Sequence, residues 1–278
     1  RAIKEKTKKE VVMDLSFYTP NGVAKGDIVR GYELDKFNID QNIKLSYKPT
    51  PKVQVILEKV IRRIFNLSSY VFYKIYFNPL YGFYLIGFWQ SEKYFKDIEE
   101  IIRKEFTLKD LIENRGESDL SKIILNKIKS SKYSISVNIR RGDYANNPLI
   151  RNHYGLISKD YFIKGVEYIN KNLNLNNLDT NIFIFSDDIE WCKNNLLELE
   201  EFGNVIFVSE KLSPTDTLHL ISICKSNVIA NSSFSWWGAW LNTNSEKIII
   251  APKNWMKAHV KTKDACPEEW IRLENSFY

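Results

Sequence analysis

Cysteine is scarce in this chain. There are 3 in 278 residues, Cys192, Cys224 and Cys266. They lie far apart and form no CxxC pair, so neither a disulfide framework nor a cysteine zinc site is indicated. The histidines, His153, His219 and His259, stand singly and lack metal-ligand spacing. Glycine is low at 11 residues, and no GxGxxG, Walker A, HExxH or GxSxG pattern occurs. That removes dinucleotide enzymes of the standard pattern, P-loop NTPases, zincins and α/β-hydrolases. Long aliphatic runs are missing too. The stretch of membrane-span length, Tyr70 to Trp89, is aromatic and interrupted by Lys74, Asn78, Pro79 and Gly82. An aromatic core or binding wall is expected there rather than a spanning helix. The amino end is charged and polar, unlike a secretion leader. With the cysteine pattern, this points to a reducing, cytoplasmic compartment.

Charge of one sign does not dominate. The net charge is +6 and the pI near 8.9. This is compatible with an anionic small substrate or peripheral contact with a membrane surface, and is too weak to argue for nucleic acid. A hydrophobic fraction of 44% against 27% charged residues marks a folded chain rather than a disordered one. The length suffices for two modest domains.

The pattern changes near Ser131. Before it, Lys4 to Glu10 reads as helix and Val11 to Leu15 as a short buried strand. Tyr18 to Gly31, with Pro20, Asn21-Gly22 and Gly26, reads as loop, and Pro51 to Ile64 as an amphipathic helix. Asp97–Lys104 and Leu120–Lys129 read as surface helices. After it, strands alternate with helices. The strands are Tyr133–Ile139, Asn181–Phe185, Asn204–Val208, Asn227–Ala230 and Lys247–Ile250. The helices are Asp160–Asn172, Asp187–Glu200, Pro214–Lys225 and Ser233–Leu241. This predicts an α/β fold whose second half is a parallel sheet covered by helices on both faces. The domains are expected at 1–131 and 132–278.

In an open parallel sheet, ligands bind beyond the carboxyl ends of the strands. The residues just past those ends are Arg140, Arg141 and Asp143; then Ser186, Asp187 and Asp188; then Asn231, Ser232 and Ser233; then Pro252. Arg140-Arg141 is the strongest feature, because two guanidiniums at a strand end offer planar donor forks to a diphosphate. Asp143 is expected to orient the arginines rather than act as a base, since a carboxylate beside guanidinium is held ionised. Arg141-Gly142-Asp143 also spells an adhesion tripeptide, which would need an exposed loop on a secreted protein. Ser186-Asp187-Asp188 with Glu190 reads as a divalent-metal site or as a helix cap with acids facing the helix dipole. Capping is preferred, with Asp187 also touching nucleotide. In the run Asn231 to Trp240, the small hydroxyls of Ser232 and Ser233 can donate to phosphate and Phe234 can cover a base or sugar. Trp236 and Trp240, one turn apart, are expected in the core. Trp89, Gln90 and Glu92, within Gly87–Phe95, would suit a sugar ring, and aromatic core packing explains them equally.

Four stretches together resemble the bacterial galactoside α-1,2-fucosyltransferases of glycosyltransferase family eleven. They are Gly87 to Phe95 (GFWQSEKYF), Val137 to Tyr144 (VNIRRGDY), Phe185 to Trp191 (FSDDIEW), and Cys224 to Asn242 (CKSNVIANSSFSWWGAWLN) with Ala251 to Trp255 (APKNW). The resemblance implies a GT-B-like fold of two Rossmann-like domains, with the acceptor side in the first and the GDP-sugar site in the second. It implies GDP-fucose as donor, a galactose-terminated glycan as acceptor, inversion at the anomeric carbon, no metal or other cofactor, and a place in O-antigen synthesis at the membrane. The family's His-x-Arg-Arg-x-Asp motif falls on Asn138 to Asp143. It implies that Arg140 binds the β-phosphate and is the residue most needed for catalysis, with Ser232, Ser233 and Phe234 beside the phosphates and sugar. Two departures stand out. Asn138 replaces the family's His and cannot titrate. The family's opening glycine-rich segment has no counterpart, so Arg1 to Tyr18 is expected to correspond to the stretch just after that segment, in a chain truncated at its amino end. These departures keep a non-catalytic nucleotide- or sugar-binding protein open as an alternative, and another linkage such as α-1,6 is a second one.

Overall fold

The computed structural model describes residues 1–19, 31–40, 42–74, 84–85 and 87–278. Most of the Tyr18–Gly31 loop and the middle of the aromatic stretch lie outside them. The chain divides into two compact units, Arg1–Lys109 with Lys261–Ala265, and Asp110–Val260 with Cys266–Tyr278.

In the first unit, helix α1 (Ala2–Thr7) leads to strand β1 (Val12–Asp14), which pairs in parallel with β2 (Lys44–Ser46). Helices α2 (Lys52–Ile64) and α3 (Glu99–Glu105) come next. β1 is half-exposed rather than buried, and it is the next residue, Leu15, that enters the core. α2 forms where the apolar spacing predicts it but faces the other way. Val53, Ile56, Val60 and Ile64 are exposed while Glu58 is fully buried.

The second unit opens with helix α4 (Leu120–Ser130), capped by Asp119, whose carboxylate accepts from the Ser121 and Lys122 N–H groups. Then come strand β3 (Tyr133–Ile139), helices α5 (Gly142–Asn146), α6 (Pro148–Tyr154) and α7 (Lys159–Leu173), and strand β4 (Thr180–Ser186). The remaining elements are α8 (Ile189–Asn195), β5 (Asn204–Phe207), α9 (Pro214–Ile223), β6 (Ser226–Ile229), α10 (Ser233–Leu241), β7 (Ile249–Pro252) and β8 (Ile271–Leu273). The six strands form one sheet in the order β5-β4-β3-β6-β7-β8, every neighbour parallel. This is the α/β architecture that the strand–helix alternation predicts.

The unit boundary lies earlier than residue 131. Arg115 grips Asp216 at the start of α9 with a two-pronged ion pair, both N···O distances 2.8 Å. That pair and the buried face of α4 (Ile124, Leu125, Ile128) tie the polar segment before β3 into the sheet unit. The helix expected over Asp187–Glu200 is shorter, because the chain tightens into a 3-10 turn at Leu197–Glu201.

β3 is central and buried on both sides. Ile135, Val137 and Ile139 join a core with Tyr161, Val166 and Ile169 of α7 and Ile182 and Ile184 of β4. The alternate positions, Ser134, Ser136 and Asn138, are polar yet buried. Hydrogen bonds accommodate Ser134 and Ser136 and the Asn138 Nδ2. Asn227 Nδ2 donates to Ser136 Oγ (2.6 Å) and to the Ile221 carbonyl (2.9 Å), and Asn242 Nδ2 donates to Asn227 Oδ1 (2.7 Å). Buried polar groups are tolerated when paired in this way. Trp236 and Trp240 are buried and stack with ring centroids 6.2 Å apart.

Candidate active site

From β3 the chain moves outward through β4 and β5 on one side. On the other it resumes with β6, β7 and β8. The order therefore reverses between β3 and β6, and the crevice outside the carboxyl ends of those two strands is the ligand position of an open α/β sheet. Register fixes what meets there. Asn138 pairs with Ile229 across β3–β6, and Ile139 pairs with Ser186 across β3–β4. Arg140-Arg141, Asp187-Asp188 and Asn231-Ser232-Ser233 thus leave the sheet side by side.

The arginines are held by carboxylates. Arg140 Nη2 donates to Asp143 Oδ1 at 2.6 Å, and Arg140 Nη1 pairs with Asp187 Oδ2 at 2.8 Å. Asp187 Oδ1 accepts the Arg141 backbone N–H at 2.8 Å, so one carboxylate bridges the side chain of one arginine and the main chain of the next. Arg141 Nε donates to Asp188 Oδ2 at 3.0 Å, and its guanidinium lies 3.8 Å from the centre of the Trp191 ring. These contacts fix both forks in orientation and still leave N–H donors over for phosphate oxygens.

Asp188 also caps α8, accepting from the Trp191 N–H at 3.1 Å. Capping is therefore what this acidic run does, with Asp188 as the cap and Asp187 as the clamp on the arginines. Gly142 faces the clamp: a Cβ there would lie 2.5 Å from Asp187 Oδ2. Asp143 accepts from Arg140, the contact that an orienting role would use. The Arg141-Gly142-Asp143 tripeptide opens α5 and is engaged with Asp187, Asp188 and Trp191 rather than offered on a free loop.

The opposite wall is the start of α10. Ser232 stands at its N-cap and Ser233 and Phe234 are exposed. The first N–H groups of a helix have no intrahelical partner and favour an anion. Asn231 is buried, and its Nδ2 donates to the Tyr154 (2.8 Å) and Trp255 (3.2 Å) carbonyls. Its side chain braces the crevice, with α6 on one side. Tyr144 completes the floor: its hydroxyl donates to the Asn231 carbonyl at 3.4 Å, and Arg140 lies 5.6 Å over its ring. Asn138 is buried two residues before Arg140. Its Nδ2 donates to Ser136 Oγ at 3.1 Å, and its Oδ1 has no hydrogen-bond partner among the described residues. Ser186 Oγ accepts the Asp188 N–H at 3.0 Å and belongs to the same turn.

Trp89, Gln90 and Glu92 belong to the first unit. Gln90 and Glu92 are buried, Glu92 pairs with Lys96 at 2.9 Å, and Trp89 packs edge-on against Tyr94. Three contributors to the crevice escape sequence reasoning: the Trp191 platform, the Gly142 gap and the Tyr144 floor. Trp191 and Tyr144 sit within the FSDDIEW and VNIRRGDY stretches, but only the fold shows which arginine each one meets.

The model of the family described as "Glycosyl transferase family 11" matches residues 33–274. An alpha-1,2-colitosyltransferase of Escherichia coli is 35% identical over 88% of this chain and 83% of its own length. The O-antigen biosynthesis glycosyltransferase WbnK, also of Escherichia coli, is 28% identical over 95% of this chain and 91% of its own. The galactoside alpha-(1,2)-fucosyltransferase 1 of Homo sapiens is 25% identical over 68% of this chain and 52% of its own.

Proposed function

The chain belongs to glycosyltransferase family 11, a transferase acting on glycans, and on that premise we propose that it moves fucose from GDP-fucose to the 2-hydroxyl of a terminal galactose in an oligosaccharide or surface glycan. The observation that carries this reading is the paired guanidinium crevice at the switch point between β3 and β6, faced by the N-terminus of α10. Two of the relatives described above bear names specifying α-1,2 transfer, which favours that linkage over α-1,6.

In this mechanism the bond between the anomeric carbon and the β-phosphate oxygen breaks, and its electron pair leaves with GDP. Arg140, helped by Arg141 and the N–H groups of Ser233 and Phe234, stabilises the growing charge on the diphosphate. The acceptor oxygen forms the new bond on the opposite face, which inverts the configuration, and its proton is released to water on that face. The cations come from arginine, and Asp143, Asp187 and Asp188 hold those arginines, so the reaction as written calls on no metal. Helix α2 adds to the reading: its exposed Val53, Ile56 and Ile64 lie among Lys52, Lys59 and Arg63, which suits peripheral contact with an anionic membrane face.

A second donor is suggested by the 35% identical relative, whose name specifies colitose. Turnover of GDP-fucose and GDP-colitose against lactose and a panel of galactosides, with the product linkage read by NMR, separates the cases. The proposal expects an α-1,2 fucoside. A colitoside in its place would reassign the donor, and an α-1,6 product the linkage. GDP binding by calorimetry with no transfer to any galactoside would identify a binding protein instead.

A further inference from the structure

The first unit contains a cavity of about 400 Å3 that the donor crevice does not account for. Its position comes from the local fold. β1 and β2 run parallel, with Asp14 beside Ser46 at their carboxyl ends, and α2 begins just beyond Pro51. Carboxyl strand ends that meet a helix start are where open parallel sheets hold their ligands. Asp14, Ser46, Thr50, Gln54 and Tyr84 are among the lining residues, with Pro51 beside them.

The polar groups are fixed in place. Asp14 Oδ1 accepts the Ser16 N–H at 2.9 Å, and Oδ2 accepts the Thr50 hydroxyl at 2.7 Å and the Thr50 N–H at 3.2 Å. Burial alone would raise the Asp14 pKa, but these hydrogen bonds outweigh it and bring it down to about 2. Asp14 is therefore an ionised acceptor throughout the physiological range. The Tyr84 phenol is pushed up to about 12 by burial and by the charge and hydrogen bond of Asp14, so it keeps its proton.

With the Ser16 and Thr50 donors and the Tyr84 phenol on it, the Asp14 carboxylate has its lone pairs filled and serves to order this wall. The Gln54 amide is exposed at the rim and offers both donors and an acceptor. Tyr84 and Pro51 add flat apolar surface. Lys48 also lines the cavity, so its two charges, Lys48 and Asp14, are of opposite sign, and a neutral polyhydroxylated ring suits the groups left open. Its hydroxyls donate to the Gln54 carbonyl and the Thr50 oxygen and accept from the Gln54 amide and the Lys48 ammonium, and its C–H face packs on the Tyr84 ring.

We propose that this cavity is a saccharide subsite that holds one sugar ring of the glycan acceptor by its hydroxyls, through Lys48, Thr50, Gln54 and Tyr84, with Asp14 ordering Thr50 and Tyr84. The assignment rests on the reading of the chain as a glycan-directed transferase. A nucleotide ribose carries the same pair of neighbouring hydroxyls, and the test separates the two.

Gln54→Ala and Asp14→Asn are assayed against varied acceptor at saturating donor, and then the reverse, with a thermal melt of each. Gln54→Ala is the deciding variant, because Asp14 also holds the Ser16 and Thr50 backbone. The expected result is an acceptor KM raised about tenfold, with donor KM and GDP binding unchanged. A raised donor KM with unchanged acceptor KM would give the cavity to the ribose and overturn the proposal. So would an unchanged acceptor KM in folded Gln54→Ala. If the wild-type protein transfers nothing, the transferase reading fails separately. The cavity is then read by saturation-transfer NMR with lactose, where contact seen with wild type and lost in Gln54→Ala supports it, and no contact or equal contact overturns it.

Discussion

Gly142 has no room for a side chain, and the reason is the carboxylate that orders the crevice. A Cβ there would meet Asp187 Oδ2 at 2.5 Å, and the same carboxylate joins Arg140 to the main chain of Arg141. Gly142→Ala would move a side-chain end rather than backbone, and alanine is the better helix former for α5. The variant is expected to melt within a few degrees of wild type while turnover falls about 10- to 100-fold, since small misplacements of a positioning group are costly. Steady-state assays beside a thermal melt check this, and an unimpaired Gly142→Ala would show that Asp187 does not position the arginines. At this scale the sequence is partly legible. Two adjacent arginines after an apolar run announce an anion site, but the pairing of Arg141 with Asp188 and Trp191 depends on β3 lying beside β4. Asn138 shows the same limit. Its replacement of a histidine is readable, but the unpartnered Oδ1 in a buried polar layer is not.

Among the elements, the long ones and the short strands in apolar runs are readable, and several of the shortest are not. β3, α7 and α10 emerge from apolar runs and helical spacing to within a residue. β8, only Ile271–Leu273, and the short helices α5 and α6 carry too little periodicity to register. α2 is readable as a helix but not in its facing, because which face is covered is decided by tertiary contacts. α9 carries a pH dependence that comes from burial. His219 has its pKa lowered by burial, Glu113 opposing that shift, and its Nε2 has no hydrogen-bond partner among the described residues. Below the ordinary histidine pKa of about 6.5 the unfolded chain takes up a proton that folded His219 resists. The stability this represents is present above that pH and declines below it. Thermal melts should therefore show a lower Tm at pH 5.5 than at 7.5, and His219→Met should reduce that difference. An unchanged difference would place the dependence elsewhere.

For the whole molecule, the strand order matters more than any single element. The strand order reverses between β3 and β6, and the motifs that look unrelated along the chain, around Arg140, Asp187 and Ser232, leave their strands at that reversal. Alternation of strands and helices makes the parallel sheet legible, and the rule for strand ends then makes its rim legible. The limit between the units is not: the change of pattern near Ser131 gives no sign that the segment before α4 belongs with the sheet, which Arg115 gripping Asp216 shows. Arg140 is the residue on which the proposed transfer turns. Its guanidinium is set by Asp143 and Asp187, at the place where the leaving diphosphate would develop charge. The most direct measurement is the rate of fucose transfer by Arg140→Ala at saturating GDP-fucose and acceptor, with the fold verified by circular dichroism. A loss of about a thousandfold or more in a folded protein is expected; turnover near that of the wild type would contradict the role given to Arg140.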